Sequence, residues 1–185
     1  MNLVARAKAI LMTPKQEWAA IDAEPLDVPA LLTGYVIPLA LIGPIASFIG
    51  FSIIGSGFFR LSIGWGISRA IASFVLAIVG VFVLAWVINA LAPSFGAKQD
   101  MPQATKLSAY SMTAAWVSGI FLLIPALAIL AVIGSLYSLY LFYVGLPILM
   151  KSPADKTPTY AIAVIVACIV VYVIIGAITN RMGYM

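Results

Sequence analysis

A chain of 185 residues that is 64% hydrophobic and only 9% charged lies far below the roughly 25% charge of soluble domains, which excludes an ordinary soluble fold. The formal charge of +4 comes from basic residues scattered between apolar runs rather than gathered in a stripe, which excludes a nucleic-acid-binding face. With no histidine and one cysteine, Cys168, an intrachain disulfide is impossible, and a transition-metal site, which needs clustered His, Cys or carboxylates, is not expected.

The charges divide the chain into four uncharged runs, 28–59, 70–97, 107–150 and 157–180. A bilayer-crossing helix needs about 20 apolar residues. Three runs hold one span each and the 107–150 run holds two. The expected fold is therefore all-α: a polytopic membrane protein with a five-transmembrane-helix bundle (29–181) and an N-terminal amphipathic arm (1–28).

The opening MNLVARAKAILMTPKQEW has no long apolar stretch before Glu17, unlike a signal peptide. Leu3, Val4, Ala7, Ile10 and Leu11 recur at helical spacing, with Arg6 and Lys8 elsewhere on the wheel, so residues 2–11 read as a short amphipathic helix. It is too short to span, and it suits the membrane surface or the protein's own loops. Thr13-Pro-Lys-Gln16 has the form of a capping box opening a second short helix, Pro14 to about Ala23, with Trp18 and Ile21 as anchors.

The first span is predicted at 31–54, kinked by Pro38 and Pro44. Its pairs Gly43/Ser47 and Ala46/Gly50 suit close helix approach. The link GSGFFRLSIGWG (55–66) reads as an interfacial loop with Phe58, Phe59 and Trp65 at headgroup depth. The second span, 67–92, stops at Pro93, and 93–106 forms a polar loop. The next run is expected to turn at Pro125, giving spans 107–124 and 126–149, with Gly134-Ser135 as the alternative break. KSPADKTPT (151–159) is the following loop, and the last span covers 159–180.

Orientation follows the positive-inside rule. Arg6, Lys8, Lys15, Lys98, Lys106, Lys151 and Lys156 fall on the side of the N-terminus, against Arg60, Arg69 and Arg181 on the other. The N-terminus is expected in the cytoplasm and the C-terminus across the membrane.

No Asp, Glu, Lys or His lies in the middle of a predicted span, so the titratable relay of a proton-coupled transporter is missing. A Ser–His dyad is excluded, a Ser–Lys pair would lack a lysine at depth, and no Walker or Rossmann glycine pattern occurs. Catalysis is not expected, and no cofactor is implied. Six positions are candidates for ligand binding or helix packing: Asn89, Lys106, Tyr110, Tyr137, Tyr140 and Gly145. Asn89 and Lys106 also fit interfacial roles, Lys106 as a snorkelling anchor. Cys168 reads as a small core hydrophobe. Tyr137, Tyr140 and Tyr143 occupy about 120° of one helix, and the first two lie near mid-span. Their hydroxyls are therefore expected to face the bundle and bond to groups such as Ser111, Thr113, Ser118 or carbonyls freed by Pro38 and Pro44. Gly145 could let another helix approach beside them.

INALAPSFG (88–96), QATKLSAYS (103–111) followed by Trp116 and Gly119, and YSLYLFYVGLPILMKSPADK (137–156) together resemble the bacterial branch of the Yip membrane family. These are relatives of the eukaryotic Ypt/Rab-interacting proteins of the Golgi. The opening LVARAKAILMTPKQEWAAIDAEP is similar too, so the resemblance covers nearly the whole chain. It implies five spans with a cytoplasmic N-terminus in a bacterial inner membrane, and leaves the activity open. The chain departs from the family pattern at Asn89, where an acidic residue is frequent, and at Ala114, where proline is.

Three functional readings follow. The first is a non-enzymatic protein that binds or organises membrane lipids, a second copy of itself or another membrane protein. The second is a channel or facilitator for a small neutral solute. An intramembrane enzyme is the third.

Overall fold

Four helices begin where a short polar side chain can accept a backbone N–H that the first turn leaves unpaired. Such caps bound much of the architecture in the computed structural model, which describes residues 2–55 and 60–182. Asn2 caps α1 (Leu3–Met12) through the amide of Ala5. Asp27 caps α3 (Val28–Ile54) through Ala30. Ser62 accepts from Trp65 at the start of α4 (Ile63–Leu91), and Asp100 accepts from Gln103 at the start of α5 (Met101–Ser111). The helices α2 (Pro14–Ala23), α6 (Thr113–Ser118), α7 (Ala128–Leu149) and α8 (Thr157–Met182) complete an all-α fold among the described residues.

The expected capping box does not form. Thr13 makes no side-chain bond to the first turn of α2 and instead donates its hydroxyl to the carbonyl of Ala9, closing α1. Pro14 alone supplies the start signal. Phe58 and Phe59 lie outside the described residues. Trp65 is not in a loop but in the first turn of α4, where it is 59% exposed.

Prolines shape α3. Pro38 and Pro44 have no N–H, so the carbonyls four residues earlier lose their helical donors. The π turn at Leu32–Val36 contains the carbonyl freed by Pro38, the break at Leu41 adjoins the one freed by Pro44, and a second π turn closes the helix at Ile49–Ile54.

The third predicted span is not one helix. It starts six residues early, at Met101, and changes direction at Met112 between α5 and α6. It then tightens into 3₁₀ turns at Gly119–Leu123. The cause is local: Ser111, Thr113 and Ser118 donate their hydroxyls to the carbonyls three residues back, competing with the backbone ladder. The chain reverses at Ile124, whose extended conformation (φ −117°, ψ 105°) suits the residue before Pro125. Gly134 lies inside α7.

Among the described residues, three helical segments are long and apolar enough to cross a membrane: Val28–Ile54, Ile63–Phe95 and Pro125–Leu149. Thr157–Val171 is a shorter apolar helix. The arm helix α2 packs on α7, α4 runs beside α5 and α8, and α5 and α6 both lie along α7. The buried core gathers at the end that carries the arm, with Ile10, Trp18, Tyr35, Ile88, Leu107, Leu141 and Tyr160 all inaccessible. Toward the other end Ile71, Ile129, Ile133 and Leu136 are 55–62% exposed.

Close packing in the less buried half uses glycine. A Cβ on Gly119 would stand 2.8 Å from Gly43 Cα and 3.0 Å from its nitrogen. Those are backbone atoms that no rotamer change can move. Gly119→Ala is therefore expected to lower stability by about 1–3 kcal/mol. Gly34→Ala, with nothing within 4 Å of its Cβ position, should be neutral or stabilising by up to about 1 kcal/mol. Thermal unfolding in detergent compares the two, and equal melting temperatures would contradict this packing.

Candidate functional site

Five of the six candidate positions meet the N-terminal arm directly or through one neighbour. The arm packs on the bundle. Its apolar stripe turns inward: Ala7 and Ile10 are buried on α1, and Trp18 and Ile21 on α2, while Val4 is 73% exposed.

Trp18 reaches furthest. Its indole N–H donates to the carbonyl of Leu141 on α7 at 3.1 Å. The ring lies against Gly145, where a Cβ would come within 2.6 Å of Trp18 Cε2 and 2.7 Å of Leu107 Cδ1. Gly145 thus sets how closely α2, α5 and α7 approach. On its other side Trp18 meets Tyr110 edge-on at 6.4 Å, and Tyr110 in turn packs on Tyr35 at 4.7 Å. Tyr35 shares a 2.7 Å hydrogen bond with the Thr113 hydroxyl.

Arg6 lies 5.9 Å above the Tyr110 ring and joins the two arm helices through Glu17 at 2.5 Å and Glu24. Burial works to lower its pKa, but the hydrogen bonds to Glu24 and Glu17 outweigh this and hold it above its ordinary value.

Lys106 is not a snorkelling anchor. It is 4% exposed, and its ammonium donates to the carbonyls of Ile21 and Glu24 at 2.7 Å and of Asp22 at 3.4 Å. A cation at the C-terminal end of α2 also meets the negative end of that helix. Lys151 adds a 2.5 Å pair with Asp22.

Of the tyrosines expected to face the bundle, Tyr137 packs against the core and bonds to a neighbouring helix, whereas Tyr140 does not. Tyr137 is half-buried and donates to the carbonyl of Leu11 on the arm at 2.8 Å. Tyr140 stacks on Tyr137 at 5.3 Å but is 45% exposed, and Tyr143 is 44% exposed. The hydroxyls suggested as their partners, those of Ser111, Thr113 and Ser118, donate to backbone carbonyls instead. Asn89 stands apart on α4, half-buried, with its side-chain oxygen shielded and without a hydrogen-bond partner among the described residues.

Sequence reasoning missed a cavity of about 350 Å³ halfway along the helices, between α4, α5–α6, α7 and α8. Gly80, Leu84, Ala115, Phe142 and Val164 are among its walls, with Cys168 half-buried at its edge. The serine hydroxyls there are already used. Ser111 donates to Ser108, Ser135 donates to Ala131, and Ser138 accepts from the amide of Ala115. Only the small residues Gly80, Ala115 and Ser138 could have signalled it, and they read equally as packing positions.

The family model for the Yip1 domain matches residues 8–175. Two curated relatives are each named Inner membrane protein YohC, one from Escherichia coli (strain K12) and one from Escherichia coli O6:H1. Each is 24% identical over 174 residues, covering 90% of this chain and 89% of the relative. No solved structure matches the chain.

The arm contacts separate two neighbouring tyrosines. Tyr137→Phe removes the bond to Leu11 and is expected to cost about 0.5–2 kcal/mol, with faster amide exchange in 3–12. Tyr140→Phe, half exposed, should leave both stability and exchange unchanged. Hydrogen–deuterium exchange with thermal unfolding checks this, and a larger effect at Tyr140 would refute the arm contact.

Proposed function

Because the chain belongs to the Yip1 domain family, we propose that it is a non-enzymatic integral membrane protein whose helix bundle holds lipid, with an acyl chain in the cavity between α4, α6, α7 and α8. One observation carries this reading: a space of about 350 Å³ at mid-helix depth whose walls are apolar and whose few hydroxyls are already bonded to backbone. Such a space repels water and suits hydrocarbon. Its size lies within the roughly 300–1,000 Å³ of small-molecule sites.

The membrane arrangement proposed with it has five crossings. Three are the long apolar segments, the fourth is the jointed stretch 101–123 and the fifth is α8. The arm-bearing face, with its excess of Lys and Arg, lies in the cytoplasm. The inner membrane named for the YohC relatives supports the same location here. A solute pathway has less support. It would need polar groups left open along the bundle, whereas Tyr137 bonds to the arm and the serines bond to backbone.

Narrowing the cavity tests the lipid reading. Ala115→Leu should lower the lipid retained in native mass spectra by at least about half, with little change in fold. Undiminished lipid would refute an acyl chain in this cavity.

Topology is tested by cysteine labelling in a Cys168→Ala background. Ser94 and Asp155 are exposed and should react from the cytoplasm, and exposed Ser62 from the far side. Ser152, buried against Thr157, would be a poor reporter. Labelling of Ser62 from the cytoplasm would overturn the orientation.

A further inference from the structure

A second recess, of about 330 Å³, lies on a different face of α7 from the cavity, where the arm, α7 and the entry to α8 meet. Lys15, Tyr143, Val144, Pro147, Ile148 and Thr157 line it. Three observations point to an amphiphile with a negative head.

The first is an uncompensated cation. Arg6, Lys98 and Lys151 each pair with a carboxylate. Lys15 is exposed and has no such partner among the described residues. The second is an unused donor and acceptor beside it. The Tyr143 hydroxyl has no hydrogen-bond partner among the described residues, and Pro147, inside α7, deprives the Tyr143 carbonyl of its helical donor. The third is an apolar track. From Tyr143 the same face of α7 continues through Tyr140 to Leu136, which are 45% and 60% exposed.

We propose that this recess binds an anionic glycerophospholipid of the leaflet that meets the arm. Its phosphate oxygens accept from the Lys15 ammonium and the Tyr143 hydroxyl. A headgroup hydroxyl donates to the Tyr143 carbonyl, and one acyl chain lies along Tyr140 and Leu136. Charge complementarity selects an anionic head over a zwitterionic one. The site does not rest on the cavity reading, because α7 separates the two.

The test is native mass spectrometry of the full chain, delipidated and then offered phosphatidylglycerol or phosphatidylcholine with the same acyl chains. Phosphatidylglycerol should be preferred. Lys15→Gln should reduce its retention about fivefold, the effect of one basic residue near an anionic lipid, and Tyr143→Phe should reduce it as well. Both side chains are exposed, so both variants should keep the parent melting temperature. Lys8→Gln, which removes an exposed cation outside the recess, should change nothing, and Ala115→Leu should keep the Lys15-dependent preference. Equal retention of the two lipids, or equal losses in Lys8→Gln and Lys15→Gln, would overturn the proposal. Loss in Ala115→Leu but not in Lys15→Gln would overturn it while supporting the cavity.

Discussion

The seating of Trp18 on Gly145 is the contact on which the arm-bearing end depends. An indole is large, and its N–H must find a partner when buried. Both needs are met only where α7 lacks a side chain and the Leu141 carbonyl is in reach. Once the ring is seated, the end of α2 lies over Lys106, and Tyr110 is enclosed between Trp18 and Tyr35. Lys106 then works in both directions. It ties down the arm, and it needs the arm, because a buried ammonium without its carbonyls would be costly.

That coupling explains the asymmetry of the bundle. Polar groups at the arm-bearing end are bonded between elements: Tyr35 to Thr113, Tyr160 to the carbonyl of Ile88, Ser108 to the carbonyl of Val81. Such bonds fix the relative position of helices more than they add strength, at about 0.6 kcal/mol each in membranes. Toward the other end contact rests on glycine approaches such as Gly43 to Gly119, and large apolar side chains face outward. The apolar cavity lies between these two regimes, where helices pinned at one end begin to separate.

Much of this was legible in the sequence, for identifiable reasons. The reversal at Ile124 follows from the proline after it, whereas the helices capped by Asp27, Ser62 and Asp100 start at Val28, Ile63 and Met101, ahead of the spans expected from 31, 67 and 107, because an apolar run marks a span and not its cap. Docking of the arm was not legible, because an apolar helix face looks the same whether it meets lipid or protein. Thr13 shows a motif losing to a competitor, the carbonyl of Ala9. The tyrosines show a limit of spacing. Residues three apart step round a helix by about 60°, so Tyr137 bonds to the arm while Tyr140 turns outward and Tyr143 opens onto the recess beside Lys15. The cavity carried no distinct signal, since its small wall residues Gly80, Ala115 and Ser138 read equally as packing positions within apolar spans.

The arm's charges are sorted by the same packing. Arg6, which faces inward over Tyr110, is neutralised by Glu17 and Glu24, and Asp22 by Lys151. For Arg6 this is what burial demands, because an unpaired charge there would lose its hydration with nothing in return, whereas the Asp22–Lys151 pair lies at the surface. Lys8 and Lys15 face outward, keep their water and have no carboxylate partner among the described residues. Folding the arm onto the bundle therefore does more than cover apolar surface. It consumes the negative charges of α2 internally and leaves positive ones outside. The docked arm presents a more positive face than its composition alone implies, and a surface of that kind attracts anionic headgroups without any further adjustment of the fold.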